Sequence, residues 1–155
     1  MPRITALVHT LNDSLRIGRC LETLYPCDDI LIADHGSQDG TVRVAHEYAA
    51  KVIPVDDNGM LDRDLRGADW ILCLDARESL SEALAASLYE WKLEPAIDSA
   101  FSMFLREETV EGWVQHSVPQ TRLVPASWKS WDGLLPANHA SAVQLAGEVL
   151  RFALP

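Results

Sequence analysis

Basic residues are scarce in this chain: 13 lysines and arginines stand against 23 aspartates and glutamates, a formal net charge of −10 over 155 residues. That deficit argues against a broad grip on the phosphate backbone of DNA or RNA, which needs basic patches, so no nucleic-acid partner is expected. It also disfavours docking on an anionic bilayer, because no polybasic cluster overrides it. Long apolar runs are missing as well. None approaches the ~18 residues of a membrane span, and the N-terminus lacks a signal-peptide pattern, so a cytoplasmic location without an integral membrane segment is expected. Cysteine is sparse: Cys20, Cys27 and Cys73 lack metal-ligand spacing and read as reduced structural thiols. There is no internal repeat and no low-complexity segment. What is present is an ordinary globular composition, 48% apolar and 23% charged, long enough for a single domain over 1–155 with a sizeable core.

The first half alternates strand and helix. Ile4 to Val8 reads as a buried strand, followed by the loop His9-Thr10-Leu11-Asn12. Ile17, Cys20, Leu21 and Leu24 recur at helical spacing behind the caps Asp13 and Ser14, and Pro26 stops that helix. Ile30 to Ala33 is a second strand, and Val42, Ala45 and Ala49 share one face of a second helix. Lys51 to Val55 and Trp70 to Leu74 are further strands. Ser79 and Glu82 fit a capping box ahead of the stripe Leu80, Leu84, Leu88 and Trp91. This order predicts an α/β fold with a mostly parallel central sheet flanked by helices. Between them, Asp56 to Gly59 is a turn, and Met60 to Gly67 leaves little room for a full crossover helix. After Pro95 the pattern changes to short half-buried strands around Phe101–Leu105, Trp113-Val114 and Thr121–Val124. A final hairpin is expected across Ala146-Gly147, which makes the C-terminal portion antiparallel.

The most informative stretch is Asp34-His35-Gly36-Ser37-Gln38-Asp39-Gly40-Thr41, directly behind a buried strand. Open α/β sheets bind ligands outside the carboxyl ends of their strands. Glycines permit tight turns and close backbone approach there, and Asp34 can accept hydrogen bonds at the bottom of the cleft. A plain strand-to-helix turn with Thr41 as N-cap fits the same residues. Asp39 reads as a turn-stabilising side chain bonded to nearby amides.

Taken together, Thr10-Leu11-Asn12, the Asp34-to-Thr41 loop and Trp70-Ile-Leu-Cys-Leu-Asp75-Ala-Arg77-Glu78 resemble the family-2 glycosyltransferases. Gln120-Thr-Arg122-Leu-Val and Gly147-Glu-Val-Leu-Arg-Phe resemble, more weakly, the branch that adds sugars to the lipopolysaccharide core. The resemblance implies a GT-A, Rossmann-like nucleotide-sugar fold, with residues 1–94 as the nucleotide-sugar-binding half and 95–155 as a short acceptor-side half. It also implies transfer of a sugar from a nucleotide-sugar, UDP-linked, to a glycan or lipid-linked acceptor in cell-envelope glycan biosynthesis. Thr10, Asn12 and Asp34 match the family's uracil and ribose contacts; Gly36, Asp75 and Arg77 complete the donor-binding set. Asp34 and Asp75 are expected to converge on one hollow at the mouth of the sheet.

In that family the second aspartate of an Asp-x-Asp motif ligates Mg²⁺ or Mn²⁺. Here the motif is degenerate, because arginine stands in the ligand position and a cation cannot coordinate a cation. Three readings stay open. Asp75 and Glu78 hold a metal through a shifted geometry; Arg77 replaces the metal by pairing with the diphosphate; or the site is inactive and Arg77 pairs with a neighbouring acid. An inactive nucleotide-binding or regulatory module is therefore the alternative to an inverting transferase. The family's His-Glu pair is also absent, which leaves Asp132 and His139 as positional candidates for the general base. Trp128 and Trp131 could line an acceptor groove.

Overall fold

The computed structural model describes residues 1–55, 65, 67–95 and 99–155. In chain order the elements are β1 (Ile4–Thr10), α1 (Ile17–Glu22), β2 (Asp29–Asp34), α2 (Thr41–Glu47), β3 (Lys51–Pro54), β4 (Trp70–Asp75), β5 (Glu78–Leu80) and α3 (Glu82–Leu93). They continue as β6 (Phe101–Thr109), β7 (Gly112–Gln115), β8 (Gln120–Pro125), β9 (Trp131–Asp132), β10 (Leu135–Pro136) and β11 (Val143–Arg151). One sheet runs β3-β2-β1-β4-β8-β6-β11-β5, with β7 beside β6, and β9 and β10 form a separate small hairpin. Strands β3, β2, β1 and β4 are mutually parallel. All seven residues of β1 are buried, as expected of a central parallel strand covered on both faces.

Alternation along the strands builds two cores. Ile4, Ala6, Val8, Ile32, Leu72 and Leu74 pack on one face against Ile17, Cys20, Ala45, Leu84 and Leu88, so α1, α2 and α3 lie on that side. Leu7, Leu31, Ala33, Ile71 and Cys73 form the other face, covered by Leu65, Ala100, Trp128 and Leu135. Burial pushes the thiols of Cys27 and Cys73 up to about 12 and raises Cys20 well above its usual range, which suits inert packing groups.

Several local expectations are corrected. The cap of α3 is Ser81 rather than Ser79; its Oγ accepts the Leu84 N–H at 3.1 Å, while Ser79 and Leu80 belong to β5. Asp13 and Ser14 do not cap α1, whose N-cap is Arg16, and α2 starts on Gly40 with Thr41 as its first helical residue. No hairpin forms at Gly147. Instead β11 is one strand whose register shifts between Gln144 and Glu148, and it runs parallel to β6 while β7, β8 and β5 pair antiparallel to their neighbours. Gly147 has φ +97°, and a Cβ there would sit 2.2 Å from the Leu84 nitrogen, so this bulge presses directly on the start of α3. The expected Asp56–Gly59 turn, and the Met60–Gly67 segment apart from Leu65 and Gly67, lie outside the described residues.

Candidate functional site

The carboxyl ends of β2, β1 and β4 form one mouth. In register, Thr10 faces Asp34 on β2, and His9 faces Asp75 on β4. The two aspartates flank β1, two strand spacings or roughly 10 Å apart. They do not share one wall, however. Asp34 has the parity of Ile30 and Ile32, on the helix face, whereas Asp75 follows Ile71 and Cys73 onto the other. The expected single hollow is therefore split by the tip of β1.

On the helix side, two loops are knitted together by short polar side chains. The Asn12 Oδ1 accepts the Gln38 N–H at 2.8 Å, and the Ser37 Oγ accepts the Asn12 N–H at 2.9 Å. The Thr10 hydroxyl donates to Asp13 Oδ2 at 2.8 Å, and the Asp13 N–H donates to Thr41 Oγ1 at 2.9 Å. Asp34 accepts the Ser37 N–H at 3.2 Å, curling the glycine loop back over its own carboxylate. Asp39 accepts from the Thr41 hydroxyl and from the Thr41 and Ser14 amides, with the hydroxyl bond first among the causes that hold it down to about 2. Gly36, at φ +103°, has open space where a Cβ would stand, so a ligand can reach its backbone.

On the other side, Asp75 leads into a tight ion cluster. Its Oδ1 accepts both the Arg77 amide and the Arg77 Nε, each at 2.9 Å. Glu78 is fully buried. Its Oε1 accepts from the Asp75 amide at 2.9 Å and Arg122 Nη1 at 2.7 Å; its Oε2 accepts from Arg122 Nη2 at 3.0 Å and Arg151 Nη2 at 2.9 Å. Arg122 also bonds the Cys73 carbonyl and Gln120. Burial alone would raise the Glu78 pKa, but the guanidinium charge and hydrogen bonds of Arg122 outweigh it and the net shift is downward.

A cavity of about 320 Å³ opens at this mouth, lined by His9, Asp75, Asp132, Leu134, Leu135 and Arg151 among others. Asp132 reaches it from the β9–β10 hairpin, where Gly133 takes φ +64°, and also lines a neighbouring cavity of about 260 Å³ with Arg122 and Asn138. His139 lines neither. Its ring packs edge-on to Trp128 at 5.3 Å and its Nδ1 accepts the Ser141 amide. Trp128 and Trp131 line a third cavity, with Leu65 and Ile71. Thus the structure brings Asp75 and Asp132 to one cavity, sets Thr10 and Asp34 at the adjoining strand ends with Asn12 and Gly36 on the loops that follow, and keeps His139 apart.

Glu78, as held here, does not fit a divalent cation. Every lone pair of Glu78 already meets an N–H donor and Asp75 Oδ1 holds a guanidinium, so Glu78 has no oxygen free for a metal. Among the described residues, no three histidine, cysteine or acidic side chains are grouped to hold a metal. The metal role expected for Glu78 is corrected accordingly: Glu78 is the anionic centre of a buried ion cluster. Sequence reasoning also missed His9. Its Nδ1 lies 2.9 Å from His35 Nε2, and the residue is buried. The signal was a histidine at the tip of the central strand, facing another in the glycine loop.

No family model matches the chain. It is 34% identical over 90 residues to an uncharacterized glycosyltransferase of Rickettsia felis, covering 54% of this chain and 32% of that one. It is 30% identical over 97 residues to the lipopolysaccharide core biosynthesis glycosyltransferase LpsC of Rhizobium meliloti, covering 56% and 36%. The chain thus spans about a third of the length of these curated relatives. Its fold matches glucosyl-3-phosphoglycerate synthase from Mycobacterium tuberculosis, solved with Mn²⁺ and UDP-glucose, with TM-score 0.54 and 19% identity over 68% of this chain and 44% of that one. The chain is thus similar over about half its length to curated glycosyltransferases, and its α/β fold is that of GT-A glycosyltransferases.

Proposed function

We propose that this protein binds a UDP-linked nucleotide-sugar at the mouth of β1, β2 and β4 and transfers the sugar to a hydroxyl of a glycan or lipid-linked acceptor. The observation that carries the reading is the placement of Thr10, Asp34 and Asp75 at the carboxyl ends of three adjacent parallel strands of a GT-A fold. Residues 1–94 supply the donor side and 95–155 the acceptor side. Thr10, Asn12 and Asp34 hold base and ribose, with the open backbone at Gly36 allowing close approach. Arg77, half exposed beside Asp75, swings to the diphosphate, where its guanidinium fork matches phosphate oxygens. Asp75, released, accepts from donor hydroxyls. Asp132 takes the acceptor's proton as its oxygen attacks the anomeric carbon. The bond to the diphosphate breaks in the same displacement, so configuration inverts. No step runs through Mg²⁺ or Mn²⁺, because Glu78 is spent in its ion cluster. The three free thiols, of which Cys20 and Cys73 are buried, agree with a reducing, cytoplasmic setting.

A second reading, a donor-binding module without transfer, is favoured by one observation: Asp75 and Arg77 neutralise each other across 2.9 Å. Thermal melts with UDP-glucose, UDP-galactose and UDP-N-acetylglucosamine, in EDTA or Mn²⁺, test both. Ligand at 100 times its Kd stabilises the fold by about 2.7 kcal/mol. A shift in EDTA that disappears in Asp34→Ala is expected; no shift with any donor overturns the reading. Slow UDP release from the bound donor separates the transferase from the silent module.

A further inference from the structure

The backbone of the turn that carries Arg77 is fixed from three directions, although the guanidinium is half exposed. Ala76 donates its N–H to the His9 carbonyl at 2.9 Å, which ties the turn to the tip of β1. Asp75 Oδ1 accepts the Arg77 amide. From the far side, the Arg77 carbonyl accepts the Phe152 N–H at 3.0 Å. This last bond continues the antiparallel β5–β11 ladder by one rung, since Arg151 is paired with Glu78. It lies beyond the end of both strands, where a ladder frays unless something else holds it.

Three elements hold it. The Arg19 guanidinium of α1 lies 3.9 Å from the centre of the Phe152 ring, and the Trp113 ring of β7 meets that ring nearly perpendicular at 5.1 Å. Arg19 Nη2 also donates to the Leu154 carbonyl at 2.6 Å. Glu108 Oε1 on β6 accepts the Ala153 and Leu154 amides, each at 3.2 Å. Core packing does not account for this grip, because Phe152 is only half-buried and joins neither core cluster. What the grip does fix is the base of the Arg77 side chain. An arm that must leave Asp75 and meet a diphosphate binds best from a backbone already ordered, since any freedom left in it is lost on binding.

The geometry points to Phe152 as a positioning residue for Arg77. Clamped by Arg19 and Trp113, its N–H fixes the Arg77 carbonyl, so that only the Arg77 side chain moves when phosphate replaces Asp75. This rests on the nucleotide-sugar reading above, with Arg77 as the diphosphate ligand, and adds to it a residue that touches no ligand itself.

Amide-detected NMR titrations of the intact protein in EDTA, with UDP-glucose and uridine as probes, test it. Thermal melts establish that each variant is folded at the titration temperature. Phe152→Ala is expected to weaken UDP-glucose about 5- to 30-fold, the cost of ordering one residue's backbone on binding, and to leave uridine within about twofold. Phe152→Tyr keeps a ring against Arg19 and should restore binding close to that of the wild type. Arg19→Met should weaken UDP-glucose about 2- to 5-fold, the worth of one exposed cation–π contact, and it decides the matter if Phe152→Ala does not fold. In an Arg77→Ala background neither substitution should weaken UDP-glucose by more than about twofold, a silence that general destabilisation would not produce. A loss of about tenfold in Arg77→Ala with none in Phe152→Ala or Arg19→Met overturns the positioning role and leaves the nucleotide-sugar reading standing. Equal losses of uridine and UDP-glucose, or a loss undiminished in the Arg77→Ala background, overturn it as well. Failure of the wild type to bind either probe overturns both.

Discussion

Replacing Glu78 by glutamine keeps the side chain's shape and removes its charge, so it isolates what the ion cluster contributes. In the native protein Glu78 and Arg122 are 0% and 1% exposed, and five N–H bonds from Asp75, Arg122 and Arg151 converge on the two carboxylate oxygens. Glu78→Gln strands the Arg122 guanidinium in the core with only neutral acceptors, the Cys73 carbonyl and the Gln120 amide oxygen. Removing one partner of a buried pair costs about 3–5 kcal/mol, or roughly 6–20 °C in melting temperature at this chain length. Urea denaturation at pH 7, read by tryptophan fluorescence with the m-value checked, measures it. The double variant Glu78→Leu/Arg122→Met removes both charges and should recover more than half of the loss, because apolar residues of similar size replace such pairs at little cost. The linkage has a definite sign. Glu78 is held below its usual value, so its contribution is present above the unfolded carboxyl pKa and is lost as pH falls through the lower folded one. A loss under 1 kcal/mol in Glu78→Gln, or a double variant worse than the single, would refute this assignment.

Two further outcomes follow from the fold. His9 has a folded pKa of about 4, below its ordinary 6.5. Its contribution to stability is therefore complete above pH 6.5 and is lost as pH falls toward 4. Between pH 7 and 5 that amounts to about 2 kcal/mol, which should appear in urea midpoints of the wild type and be missing from the pH dependence of His9→Gln. Gly147→Ala forces a Cβ within 2.7 Å of three backbone atoms of Ala83 and Leu84 at φ +97°, and it should destabilise by at least about 3 kcal/mol. Its calorimetric melt checks this, and a change under 1 kcal/mol would show that the bulge yields freely.

Much of the N-terminal half was legible in the residues. Ile30–Ala33 and Trp70–Leu74 are short continuous apolar runs bounded by turn residues, as strands buried on both faces carry, so the parallel sheet and its carboxyl-end edge could be read from them. The glycine loop's chemistry was also readable, because Asp39 and Thr41 are close in sequence and bond each other. What escaped was set by distant partners or by a single residue of register. Glu78 read as a possible metal ligand because its counter-ions stand 44 and 73 positions away. Asp34 and Asp75 read as one hollow, but parity puts them on different faces, and only the pairing of Thr10 with Asp34 and His9 with Asp75 reveals this. Gly147 read as a turn because a bulge and a hairpin both call for a positive-φ glycine. Its real partner, the first turn of α3, is over sixty residues upstream.

The central claim is that a nucleotide-sugar is held at this mouth by Asp34 and Arg77 without a divalent ion. Calorimetric titration of UDP-glucose into the protein in EDTA, and again in Mn²⁺, tests it most directly. The account predicts the same Kd within about twofold in both buffers, with at least a tenfold loss in Arg77→Ala, as for a charge-assisted phosphate bond. Binding that appears only when Mn²⁺ is added, or that survives Arg77→Ala untouched, would contradict it.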